Sequence, residues 1–147
     1  MAGFELTESL AGRLRLARAG DERPISITMR GRSGPIASFV RCPGLFIVGE
    51  IHAPGFADHR ALMGSIDATK LFAERRLAYA FTFAGDDGAM YLFAGEKSFL
   101  LRSFVVSFTL LAGEIRDARG ALVGDVLLRF DLRGDLVRFA KSLRFTR

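Results

Sequence analysis

The sequence predicts a mainly β chain, folded as a single antiparallel β-barrel or strongly curled sheet of about eight strands. Three observations lead there. Apolar and polar residues alternate with period two along most of the chain. Short loops of hairpin length separate the alternating runs. Glycines sit inside the runs, at Gly12, Gly49, Gly64, Gly95, Gly113 and Gly124, where a residue without a side chain marks a bulge or a barrel corner. With 147 residues, half of them apolar and 25% charged, the composition is globular. No Pro-, Gly- or Ser-rich linker and no repeat divides the chain, so residues 1–147 read as one domain.

The elements follow in order. In GRLRLAR (12–18), Leu14 and Leu16 oppose Arg13 and Arg15. PISITMR (24–30) repeats the pattern with Ile25, Ile27 and Met29, and residues 19–23 join the two as a hairpin loop. Arginine on one face and aliphatics on the other mean a sheet wetted on one side. LFIVGEIHA (45–53) begins apolar on both faces, which predicts a strand covered twice. Next come ALMGSIDATKLF (61–72), RLAYAFTFA (76–84) and AMYLFAGEK (89–97). VVSFTLLAGEIRD (105–117) and ALVGDVLLRFD (121–131) make a closing hairpin. Two helices are expected. A short one near residues 35–41 opens at Pro35 and stops at Pro43-Gly44. A C-terminal helix near 135–143 is capped by Asp135 and carries Leu136, Phe139, Ala140 and Leu143 on one face. A two-sheet sandwich is the structural alternative to the barrel.

Composition narrows the function classes. The net charge is +5, but the basic residues are arginines scattered from Arg13 to Arg144, with Lys70, Lys97 and Lys141 the only lysines. No basic run or nucleic-acid motif is present, so nucleic acid is not expected as a partner. Cys42 is the single cysteine. It excludes an internal disulfide and fits a cytoplasmic location. The opening residues do not read as a signal peptide, and the most apolar stretch (98–113) is interrupted by Arg102, so a membrane-spanning chain is not expected.

The polar stretches favour structure over chemistry. Gly85-Asp86-Asp87-Gly88, between two aromatic runs, has the residues of a hairpin turn and too few oxygens for a calcium loop. The segment EIHAPGFADHR (50–60) holds Glu50, Asp58 and the chain's only histidines, His52 and His59. Their spacing matches no zinc motif, so they read as loop histidines, with no metal and no catalytic residue assigned. Cys42, beside Pro43, reads as a spectator thiol. No phosphate loop, dinucleotide turn or nucleophile elbow occurs, and no cofactor is expected. Fourteen phenylalanines with no tryptophan point to a buried aromatic interior. If that interior is hollow, Tyr79, Phe81, Phe83, Tyr91 and Phe93 are its expected ligand lining.

The segments FELTESLAGRLRL, ERPISITMRGR, GEIHAPGFAD, YAFTFAGDDGAMYLFAGEKSF, LAGEIRDARGALVGDVLLRFDLRGDL and RFAKSLRF occur here in that order. Together they resemble a β-rich module carried by some bacterial GMC-type, cholesterol-oxidase-like flavin oxidoreductases. The resemblance spans nearly the whole chain. It lacks the dinucleotide fingerprint of those enzymes, and it transfers no functional residue. It implies a role accessory to sterol or lipid oxidation, with an oxidoreductase as a partner protein. The leading expectation is therefore a non-catalytic, lipocalin-like module for an apolar small molecule such as a lipid or sterol. The alternative is a protein-interaction or self-association module with a filled core, marked by an exposed apolar patch on 45–48 or 104–111. A small enzyme using His52, Asp58 and His59 is the third class.

Overall fold

The computed structural model describes residues 3–18, 20–34, 41–102, 105–129 and 144–146. Among the described residues there are nine strands: β1 (Gly3–Leu16), β2 (Glu22–Arg32), β3 (Gly44–Ala53), β4 (Ala57–Asp67), β5 (Arg76–Ala84), β6 (Met90–Arg102), β7 (Val105–Asp117), β8 (Leu122–Arg129) and β9 (Arg144–Thr146). Each of the first seven pairs antiparallel with the next, and β1 also pairs with β8, which closes an eight-stranded barrel. The short β9 lies against the start of β1, from Gly3↔Thr146 to Glu5↔Arg144. The expected strands are all there, and a closed barrel, not a sandwich, contains them.

Stepping across the hydrogen-bonded pairs shows how the barrel is sheared. The path Leu6–Gly31–Ile47–Gly64–Phe81–Phe93–Ile115–Gly124 returns to β1 at Leu16, ten residues beyond its start. A stagger of that size goes with strands tilted about 35–45° to the axis, around an interior wide enough only for side chains or one small ligand. Three positions on this path are glycines beside the two largest, Phe81 and Phe93. Those two rings stack with centroids 4.6 Å apart. Small residues opposite large ones let the interior fill without forcing the strands apart.

The core comprises the inward residues of all eight strands, among them Leu10, Leu14, Ile27, Ile47, Ile51, Ile66, Phe81, Phe93, Ile115 and Leu128, each at most 3% exposed. Period-two alternation holds around the ring: in β2 every second residue from Ile25 to Gly31 is buried and its neighbours are exposed. The loops are tight hairpins. Gly20, Gly88 and Gly120 adopt positive φ in the turns after β1, β5 and β7, a conformation that costs glycine little.

Three expectations need correction or fall elsewhere. Strand β3 is covered on one face only: Ile47 is buried, while Phe46 and Val48 are 77% and 52% exposed. The apolar residues on its outer face had suggested a second layer. The run 61–72 does not stay extended. Strand β4 ends at Asp67, and the chain then forms a single helical turn, α1 (Leu71–Glu74), stopped by Arg75 at φ 55°. The Asp67 carboxylate accepts the Thr69 amide at 2.8 Å, an interaction of turns that ends the strand. The helices expected near 35–41 and 135–143 lie outside the described residues, apart from Arg41.

Gly64 lies at one of the close approaches between strands of the wall. A methyl group there would stand 2.0 Å from the Ala80 carbonyl oxygen and 2.4 Å from Phe81 Cα, both backbone atoms. At Gly31 the nearest neighbour is a side-chain methyl of Ile47 at 3.4 Å. Gly64→Ala is expected to destabilise the barrel by about 1–3 kcal/mol or more, and Gly31→Ala to change it little. Urea unfolding of both variants measures the difference.

Candidate functional site

Inside the barrel, two charged side chains occupy positions that the alternation reserves for apolar residues. Glu8 on β1 and Lys97 on β6 are both fully buried, with side chains 1% exposed. Lys97 Nζ donates to Glu8 Oε1 at 2.8 Å. The Tyr79 hydroxyl on β5 donates to the same carboxylate, 2.9 Å from Oε2, and Lys97 Nζ lies 5.9 Å from the Tyr79 ring centre. Strands β1 and β5 stand opposite each other in the ring of eight, so the Tyr79–Glu8 bond spans the interior. Burial raises the Tyr79 phenol well above its usual 10.0, and the charge and hydrogen bonding of Glu8 add to that effect. Sequence analysis found Tyr79 but missed Glu8 and Lys97. The available signal was parity: each falls in step with the buried residues of its own strand.

The five aromatics of the expected lining come together, packed against one another. Tyr79, Phe81, Phe83 and Phe93 are at most 1% exposed, and Tyr91 is half-buried. Phe81 stacks on Phe93, Phe83 on Tyr91, and Phe56 from the β3–β4 turn covers the group, its ring 4.9 Å from Tyr91. Neither of the two clefts defined by described residues is lined by these rings. The larger, about 490 Å³, lies at the barrel rim where β3 begins and β4 ends, against Cys42, Leu45, Phe46 and Ile66.

Gly85–Gly88 is the hairpin turn expected, closed by the Gly85 amide to the Ala89 carbonyl at 2.9 Å. Its acids fasten neighbouring parts. Asp86 Oδ1 accepts the Asp58 amide at 2.9 Å and Arg60 Nε at 3.0 Å, which lowers the Asp86 pKa. Asp87 accepts the Tyr91 hydroxyl at 2.7 Å, and that bond, with partial burial, pushes the Tyr91 phenol up to about 12.

Across the same hairpins the structure gathers the residues read as separate loop histidines. His52 and His59 stack with ring centres 3.9 Å apart, at 13°. His52 Nδ1 is 3.2 Å from Asp58 Oδ1, and Glu50 holds His59 Nδ1. Pairing of β3 with β4 accounts for this: the register shift between Ile51 and Ala53 and a positive φ of 46° at His59 swing the second histidine over the first. No fixed spacing encodes such an arrangement.

The outer wall carries an uncharged surface. Val48, Met63, Thr82 and Leu92 form one cross-strand row, and Phe46, Ser65, Ala80 and Ala94 the next. Met63 is 67% exposed, close to the value for Phe46. Arg30 and Arg32 flank these rows on β2, Glu114 and Arg116 on β7. Among the described residues no helix is long and apolar enough to cross a membrane. Comparison with protein-family models, curated proteins and solved structures finds no match to this chain.

Breaking the interior pair on one side strands a charge in the core. Glu8→Gln or Lys97→Met alone is expected to cost about 3–5 kcal/mol, and the double variant less than the sum of the two; chemical denaturation of all three gives the coupling. The two tyrosines supply a second test. Native protein should show no tyrosinate absorbance near pH 10, whereas denatured protein should show both phenols ionising there. The unfolded phenols release protons first, so this stabilisation is complete below pH 10 and is lost as pH rises beyond it.

Proposed function

We propose that this chain is a non-catalytic self-association module: a filled barrel that pairs with a second copy through the outer face of β3–β6. The observation that carries this reading is the uncharged double row on that face, with Phe46 at 77% and Met63 at 67% exposure over a core whose aromatics pack on themselves. A contiguous apolar surface of this kind marks an interaction site. A second copy fits it by shape. The β3–β4 half carries the bulk (Phe46, Val48, Met63), whereas the β5–β6 half is mostly small (Ala80, Ala94, Thr82). A two-fold axis parallel to the strands, between β4 and β5, lays the bulky half of each copy on the small half of the other. The same operation brings Arg32 toward Glu114 on the Phe46 row and Arg30 toward Arg116 on the Val48 row, so the apolar rows and not the charged flanks favour the contact. An isologous contact of this type is the commonest route to a dimer.

A second reading is supported by the buried Glu8–Lys97–Tyr79 cluster. In it the lipocalin-like interior takes an apolar small molecule, a lipid or sterol, whose polar end meets that cluster while its body displaces the packing of Phe81, Phe83 and Phe93. The resemblance to an oxidoreductase-associated module favours this accessory, cytoplasmic role.

Native mass spectrometry of the full chain, incubated with a bacterial lipid extract and added sterols, tests both readings. The expected result is a dimer mass with nothing bound, reduced to monomer by Phe46→Glu or Met63→Glu without loss of thermal stability. A monomer at high micromolar concentration overturns self-association. A retained small mass that is lost on changing Phe81 or Phe83 establishes the ligand reading instead.

A further inference from the structure

The β3–β4 hairpin holds chemistry that neither reading uses. His52, Asp58 and His59 each offer one ligand atom there, all within 4.8 Å of one another. We propose that these three side chains bind one divalent transition-metal cation of the zinc class, with Glu50 as the outer partner that orients His59.

The donor set defines the class of ion. Two imidazole nitrogens and one carboxylate suit zinc, nickel, cobalt or copper, whereas calcium and magnesium require mostly oxygen. Three protein ligands leave a coordination position for water or an external group.

Each nitrogen is prepared for the task. Glu50 accepts from His59 Nδ1, which places the proton there and leaves the lone pair on Nε2, 3.8 Å from Asp58 Oδ1. A carboxylate on the far nitrogen of a ligating histidine is the usual outer support of such sites, and it raises the basicity of the ring. His52 Nδ1 is shielded from solvent and has no hydrogen-bond partner, although Asp58 Oδ1 is 3.2 Å away. A buried ring nitrogen without a partner is costly, and a cation between it and the carboxylate would satisfy both.

The scaffold supports the placement. His59 holds a positive φ of 46°, an outlier for a non-glycine residue that the register shift in β3 and β4 imposes. Asp86, from the β5–β6 turn, fixes the Asp58 amide and engages Arg60, so the Arg60 guanidinium is turned toward Asp86. Glu50, Asp58 and Asp86 leave the surroundings negative. The imidazoles are stacked at 13°, and a cation about 2.0–2.1 Å from both nitrogens needs their planes to open. His59, with its side chain 62% exposed, has room to rotate.

The test uses the full chain, stripped with a chelator and carrying Cys42→Ser so that the single free thiol contributes nothing. Zinc chloride is titrated at neutral pH by calorimetry and by imidazole proton NMR, which reads this site alone because the chain has two histidines. Binding of one equivalent with both imidazole signals shifted is expected. His52→Ala and Asp58→Asn should abolish it, and Glu50→Gln, which keeps both ligating rings, should weaken it about 10–100-fold. Calcium should give no response. Circular dichroism confirms that each variant folds. Imidazole signals unmoved by millimolar zinc, or wild-type affinity in the His52→Ala/His59→Ala double variant, overturn the proposal.

Discussion

The pairing of β1 with β8, from Ala11↔Arg129 to Leu16↔Gly124, joins the two ends of the sheet and settles what every other side chain can do. An open eight-stranded sheet would present two edges to solvent, each a template for unwanted strand addition. Closure removes both along the paired segments, and it couples the registers of all eight strands into one ring. A one-residue slip anywhere would turn a strand's buried set outward, so each strand is held in register by its own pattern and by the return of the path to β1. The pair forms between residues more than a hundred positions apart in sequence, and such contacts close late and slowly in folding.

Much of this was legible in the sequence because barrels rest on the simplest local rule. Alternation in PISITMR and RLAYAFTFA reads directly as one wet and one dry face, and the Asp-Asp-Gly and Ala-Arg-Gly turns are where their chemistry says. What was missed required knowledge of partners across the ring. Glu8 interrupts the apolar parity of β1, so the strand was read as starting only at Gly12, although it begins at Gly3. Lys97 sits at the end of an aromatic run, and the pattern of its own strand names no partner for it. The outer residues Phe46 and Val48 suggested a covered strand, because period two reports which residues share a face but not whether a second layer exists. The histidine cluster depends on a bulge and one unusual backbone angle, neither of which any spacing rule encodes.

Inside and outside exchange part of their usual chemistry in this molecule. A buried ion pair is poor value as a source of stability, since hydrophobic residues of similar size often serve as well or better. An exposed phenylalanine on a sheet face is equally poor value for an isolated molecule. Both departures concern residues that the fold itself does not require, and the wall between them is otherwise regular. They are the positions on which the two proposed readings rest: the outer rows for self-association, and the inner cluster for a ligand.

The Tyr79–Glu8 bond also has a mechanical side. It runs along one diameter of the barrel, from β1 to β5, and Lys97 on β6 anchors it beside β5. A short polar tie across one diameter resists flattening along that line, whereas apolar packing along the perpendicular direction, β3 to β7, yields more gradually because it is not directional. Because the paired wall of a closed ring has a nearly fixed perimeter, holding that one diameter also limits how far the cross-section can turn oval.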